Sequence, residues 1–413
     1  MWFLKKEKAG ALQYVLVISV IIAFILFAFI SLIYLQQKLQ IKNAFYKETI
    51  QNVQLGFNYI SDLPYDKPIE TRLSENELEK TTFLRSYWGI FDIVSVSSSI
   101  KNEYFQKIGL IGNQNNQREA LYLQDNNTPL VVVGHAKIKG NVSLPKQGVK
   151  SGNISGNSYY GNQLIYGSQK TSNTSLPSIN NIAYIKSLFK RNYMNDSVKY
   201  FQLENGLKHT QLFSQPTAIH YTQDNIHLSD IALQGNIIIH SENTITIDAT
   251  AKLEDIILIA PTIKILKKVT GNFQAFATDM ILAEENCKLN YPSALVLIQN
   301  QKAEKENQIK IGENTNIKGV IVYYNEKDSP NFDSQIVLSE KTIITGEVYC
   351  NQNLELLGSV YGSIYTNNFI AKQSGSTYVN HIYNGAVNYQ KLPEQYCGLW
   401  INNTSKKVAK WLY

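Results

Sequence analysis

The chain has 413 residues, room for a large core or for two domains, and a formal net charge of +6 from 39 Lys plus Arg against 33 Asp plus Glu. Only four of those cations are Arg (Arg72, Arg85, Arg118 and Arg191), with none of the clustered Arg and interleaved aromatics of a nucleic-acid surface, so nucleic acid is not an expected partner. Charged residues make up 17%, below the roughly 25% of an average soluble domain, while Asn, Gln, Ser, Thr and Tyr are abundant, which suits a β-rich extracytoplasmic body.

Residues 1–10, MWFLKKEKAG, carry Lys5, Lys6 and Lys8 against Glu7 and read as a short basic tail that stays in the cytoplasm. From Ala11 to Leu35 follows ALQYVLVISVIIAFILFAFISLIYL, interrupted only by the uncharged Gln13, Ser19 and Ser31. A helix needs about 20 apolar residues to cross the ~30 Å hydrocarbon core, so this run is expected to hold the protein to membrane lipid as a single-pass anchor. A cleavable secretory signal fits poorly, because its apolar core is ~7–15 residues and is followed by a small-x-small site. The body after Leu35 is then expected outside the inner membrane, periplasmic or extracellular.

The stretch KKEKAGALQYVLVIS resembles the class III leader of type IV pilins and pseudopilins: a basic leader, a Gly at the cleavage point, then a long apolar helix. The resemblance implies cleavage between Gly10 and Ala11. Major pilins carry Glu at the fifth mature position, where this chain has Val15; some minor pilins and the tip pseudopilin tolerate an apolar residue there, and an uncleaved signal anchor is the plain alternative. From Leu35 on into an extended helix over residues 36–63, Leu39, Tyr46, Ile50, Val53, Phe57 and Ile60 recur at helical spacing, and Pro64 ends the pattern. A single helix of roughly 75 Å is expected over residues 11–60, in pilin-like chains half in lipid and half packed on the head.

Residues 64–128 read as a charged connector and a β capping layer, with the Tyr87–Ile100 and Arg118–Gln124 segments in that layer. Residues 129–395 are built of short β-branched bursts punctuated by Gly, Asn or Asp, among them IALQGNIIIH, TITIDA, DIILIAP and SALVLIQ. Short strands with uniform punctuation predict a parallel β-helix, in which no coil buries its apolar face alone; a β-sandwich is the alternative. Alternation sets Ile237/Ile239, Ile245/Ile247 and Ile257/Ile259 inward. The phrases at Ile317-Lys-Gly-Val, Ile344-Thr-Gly-Glu-Val and Leu357-Gly-Ser-Val-Tyr-Gly-Ser-Ile are similar to the coils of bactofilins over residues 308–371. Residues 178–207 form a helical insertion, whose Lys186, Lys190 and Arg191 face solvent or a partner, and residues 396–413 a C-terminal tail. The tail or the Tyr87 layer is expected to cover an open end of the β-helix. The fold class is mainly β, with an N-terminal transmembrane helix.

Chemistry-bearing patterns are sparse. His220, His227 and Asp230 are the closest approach to a metal set, without HExxH or HxH spacing. Phosphate loops, nucleophile elbows and dinucleotide fingerprints do not occur. Asp248, Glu254, Asp255 and Asp279 read as turn residues rather than a hydrolase pair. Cys287, Cys350 and Cys397 are too widely spaced for a framework and read as buried thiols, with one disulfide and a free thiol as the alternative. No catalytic, cofactor or metal residues are assigned and no enzyme is expected. The expected role is structural: a pilin-like or pseudopilin-like subunit of an envelope assembly or secretion machine, with protein partners, further copies of itself among the candidates. A cell-surface glycan-binding protein is the alternative, and a polysaccharide-active enzyme comes third.

Overall fold

The computed structural model describes residues 10–60, 63–115, 117–190, 199–299, 307–327, 331–401 and 405–412. Lys5, Lys6, Lys8 and Arg191 therefore lie outside the described residues. The chain divides into two compact units, one of Met1–Leu63, Lys67–Leu84 and Ser95–Lys107, the other of Pro64–Asp66, Arg85–Val94 and Ile108–Tyr413.

The first unit is led by α1 (Gly10–Gly56), 47 residues and about 70 Å at 1.5 Å per residue. Its last turns bury Thr49, Asn52, Val53 and Gly56 against antiparallel strand segments of the same unit. Gly56 explains why small and polar residues make this contact: a Cβ there would stand 2.6 Å from Val96 and 3.0 Å from Phe83. The expected face is thus shifted, with Val53 and Ile60 buried but Leu35, Leu39 and Tyr46 exposed. Glu48 holds the loop after Ile69–Thr71, accepting from Ser74 Oγ at 2.8 Å and Asn76 Nδ2 at 3.2 Å.

The second unit is a right-through stack of parallel coils, each giving one strand to a first, a second and a third sheet. Residues 252–254, 256–259 and 262–265 are one such coil. The second-sheet register runs Ile239, Leu258, Ala275, Leu295, Ile321, Val348 and Ile364, all in the interior cluster. Ile237, Ile239, Ile245 and Ile247 point inward, as alternation predicts. Ile257 and Ile259 do not: Ile256 and Leu258 take the interior, and the two isoleucines join a separate outer cluster with Phe91 and Phe276. The cause is Asp255, at φ 59 on a corner where the register shifts, which slips the alternation by one residue.

The glycine phrase marks another corner. Gly319, Gly346 and Gly362 stack in register at φ 146, 148 and 154, and a Cβ on Gly346 would stand 1.8 Å from the Gly319 carbonyl oxygen. The left-handed side of φ space and the absence of room both require glycine there.

The coils do not stack in chain order. The described strands between residues 208 and 388 follow one another coil upon coil, and the last of these pairs in parallel with the start of the body: Ile364↔Leu121, His381↔Val131 and Ala386↔Lys137. Leu121–Leu123, expected in the capping layer, is therefore a β-helix strand, and residues 121–171 are the far coils of the same solenoid. Among the described residues, the twelve second-sheet strands from Lys199–Tyr200 to Gln169–Thr171 span about 53 Å at ~4.8 Å each. The described segment from residue 172 to 190 leaves the last of these strands. It runs along the outer face of the second sheet: Asn173 N donates to Tyr122 Oη at 2.9 Å, and the short helix α2 (Ile182–Leu188) buries Ile185 and Leu188 in the outer cluster.

The ends of the stack are closed by Tyr159, Leu164 and Ile165 and by Phe201, Leu203 and Leu207, all packed on the interior cluster. The tail and the Tyr87 strands, expected as end caps, lie on the flank instead. Gln274, which faces outward at mid-stack, accepts from Ile90 N at 2.9 Å and donates to Trp88 O at 3.1 Å, and Ser405–Leu412 pairs antiparallel with 108–114. All three cysteines are buried free thiols.

Candidate functional site

The strongest functional element is the exposed part of α1. Apart from half-buried Gly10, residues 11–44 are exposed on every side, and the helix is long and apolar enough to cross a membrane. Gly10 is its first residue and has open space around its Cα, and Val15 is 64% exposed. An all-round apolar surface of this length has no counterpart in a helix that packs within a water-soluble core.

A second feature is an ionic clamp that sequence reading missed. Arg118 Nε donates to Glu347 Oε1 at 2.7 Å, with the two side chains 3% and 2% exposed. Glu347 Oε2 accepts from Leu399 N at 2.6 Å, and Tyr396 Oη donates to the Gly319 carbonyl at 2.9 Å. Burial works against the Arg118 cation, but the Glu347 carboxylate more than offsets it, so the guanidinium titrates above its ordinary range. The arrangement binds the segment 396–401 to the glycine corner. Beside it opens a polar groove of about 620 Å³ lined by Gln114, Asn115, Tyr389, Gln390 and Gln395. A related pair ties Arg85 Nε to Asp92 Oδ2 at 2.9 Å, with burial pushing the Asp92 carboxyl upward against the pull of Arg85. The one available signal was scarcity: with so few arginines in a lysine-rich chain, each one is a candidate for a bidentate or buried role.

The other candidates separate. His220 sits in Ala218–Thr222 with Nδ1 3.0 Å from the Phe201 carbonyl, His227 is exposed in Ile226–Leu228, and Asp230 occupies the next turn at φ 49. Among the described residues no group of three His, Cys, Asp or Glu could hold a metal ion. Asp248 caps its own turn by accepting from Thr250 N, and Lys410 pairs with both Glu254 and Asp255. Lys186, expected to face solvent or a partner, pairs with Glu326 and lies 4.7 Å from the Tyr324 ring centroid. Burial pushes the thiol of Cys350 up to about 12 and that of Cys397 to about 11, leaving both protonated and unreactive at neutral pH.

No protein-family model and no curated protein matches the sequence. Among solved structures the chain is similar to the competence-associated pilin ComZ from Thermus thermophilus, at 10% identity and a TM-score of 0.18, over 91% of this chain and 95% of that one. A likeness at that level fixes neither fold nor function. The bactofilin-like phrase is accounted for by the glycine corner.

Proposed function

We propose that the protein is a membrane-anchored, extracytoplasmic structural subunit of pilin-like build, working in an envelope assembly or secretion machine through contacts with other proteins. The observation that carries this reading is α1: one unbroken helix, apolar and exposed all round over its first two thirds, with only its last turns packed on antiparallel strands. That division suits a helix held in lipid, or among like helices, at one end and in a folded head at the other. The basic tail before the span favours an inner-membrane anchor with the body exported. Closed solenoid ends and buried, inert thiols suit a rigid body that persists rather than turns over substrate.

Reporter fusions after Ile60 test the topology. Alkaline phosphatase should be active there and a cytosol-only reporter silent; the opposite pattern overturns the reading. In the same cells, intact mass distinguishes a chain beginning at Ala11, with Gly10→Val abolishing the shortening, from one that keeps its basic tail as a signal anchor.

A further inference from the structure

The outer face of the first sheet carries cations at a regular interval. The register sets Lys208 against Ala232, Ala232 against Lys252, and Thr270 against Lys288, while Glu254↔Asn272 sets Lys252 beside Thr270. Reading up the stack, the column is Lys208, Ala232, Lys252, Thr270, Lys288: a lysine on every second coil and a small residue between. Coils rise ~4.8 Å each, so successive ammonium stems stand about 10 Å apart on a straight line. All three lysines are exposed, and none forms an ion pair among the described residues.

The column from Lys208 to Thr270 lines a cleft of about 430 Å³, together with Thr210, Gln234 and Glu254, and Lys288 stands beyond it on the next coil. Glu254 is the carboxylate in that lining; it accepts from Lys410 Nζ at 3.1 Å, a cation it shares with Asp255, and from Gln234 Nε2 at 3.2 Å. Asp230 and Asp248 stand at the turns leading into the sheet, and Asp248 is engaged with Thr250 N and Oγ1. The floor between the lysines is short and polar or methyl-sized, leaving room for an uncharged unit between charged ones. Thr210 and Gln234 offer hydroxyl and amide groups alongside.

We propose that this face binds a linear polysaccharide bearing one acidic group per disaccharide, laid along the solenoid axis so that successive acids meet Lys208, Lys252 and Lys288. The repeat of such a polymer matches two coils, whereas a polymer with an acid on every sugar places half its charges over Ala232 and Thr270. The proposal stands independently of the pilin-like reading, because the sheet face is the same whatever the helix anchors.

The test uses the full-length protein in nanodiscs and three oligosaccharides of equal length: hyaluronan, with one carboxylate per disaccharide; polygalacturonate, with one per sugar; and neutral chito-oligosaccharide. Hyaluronan should bind, more weakly as salt rises, and tighter per charge than polygalacturonate, while the neutral chain should not bind. The triple variant K208Q/K252Q/K288Q should lose about tenfold or more, the sum of three exposed ion pairs, with an unchanged near-ultraviolet circular dichroism spectrum. Lys264→Gln, on the third sheet, should change nothing. Equal binding of the neutral chain, equal affinity per charge for polygalacturonate, full affinity in the triple variant, or no hyaluronan binding by the parent protein would each overturn the proposal.

Discussion

Leu258→Asp probes the interior ladder directly. Leu258 is fully buried, in register between Ile239 of the coil on one side and Ala275 of the coil on the other. Losing its buried side chain costs about 2–3 kcal/mol. The aspartate that replaces it has no donor within the apolar column and escapes ionisation only by protonating. A shift of three to five pKa units at 1.36 kcal/mol each adds about 4–7 kcal/mol at neutral pH. The sum, about 6–10 kcal/mol, is comparable with the whole ~5–15 kcal/mol stability of a domain. Lys252→Asp, exposed on the first sheet a few residues earlier, should stay within about 0.5 kcal/mol of the parent. Urea titration of the full-length protein in mild detergent, followed by tryptophan fluorescence and by protease resistance of the body, measures both. A Leu258→Asp protein that unfolds within about 1 kcal/mol of Lys252→Asp would refute the interior assignment, since no core position absorbs an aspartate so cheaply.

Two further outcomes follow from buried ionisable groups. Arg118→Met should cost about 3–5 kcal/mol by stranding Glu347, with pairing to Glu347→Leu recovering much of it; proteolysis should then begin within 396–401, and an undisturbed digestion pattern would remove the clamp's role. Burial holds the His240 imidazole down to about 4 from 6.5, against an upward pull from Glu242. The unfolded chain therefore takes up that proton first, so this contribution is whole above about pH 6.5 and is lost as pH falls toward 4. His240→Gln should flatten the stability profile over that window, and an unaltered slope counts against burial as the cause.

Strand alternation made Ile245 and Ile247 legible as interior residues, because nothing interrupts their short run. The same rule misplaced Ile257 and Ile259, since a single left-handed residue at Asp255 is invisible to a period-two count. The apolar helix was legible from composition alone, but its packing face was not: Gly56 and Thr49 make the contact through close approach rather than hydrophobicity. The clamp joins Arg118 to Glu347, and no local pattern connects residues that far apart. Coil order was illegible for the same reason, as every coil offers its neighbours the same Ile and Val ladder. The lysine column became visible only once the register set one residue from each coil side by side.

The junction between Ile364 and Leu121 also dictates a timetable. A ribosome delivers residues 121–171 first, yet their open strand edge finds its partner only when the chain has grown 243 residues further (364 minus 121). Contacts of such sequence separation are slow to form, and an unpaired parallel edge left waiting is prone to pair with the wrong chain. A molecule truncated anywhere before residue 359 would therefore be left with its earliest coils orphaned, even though they had been made in full. Quality control is thus built into the topology: the coils made first can be completed only by those made last.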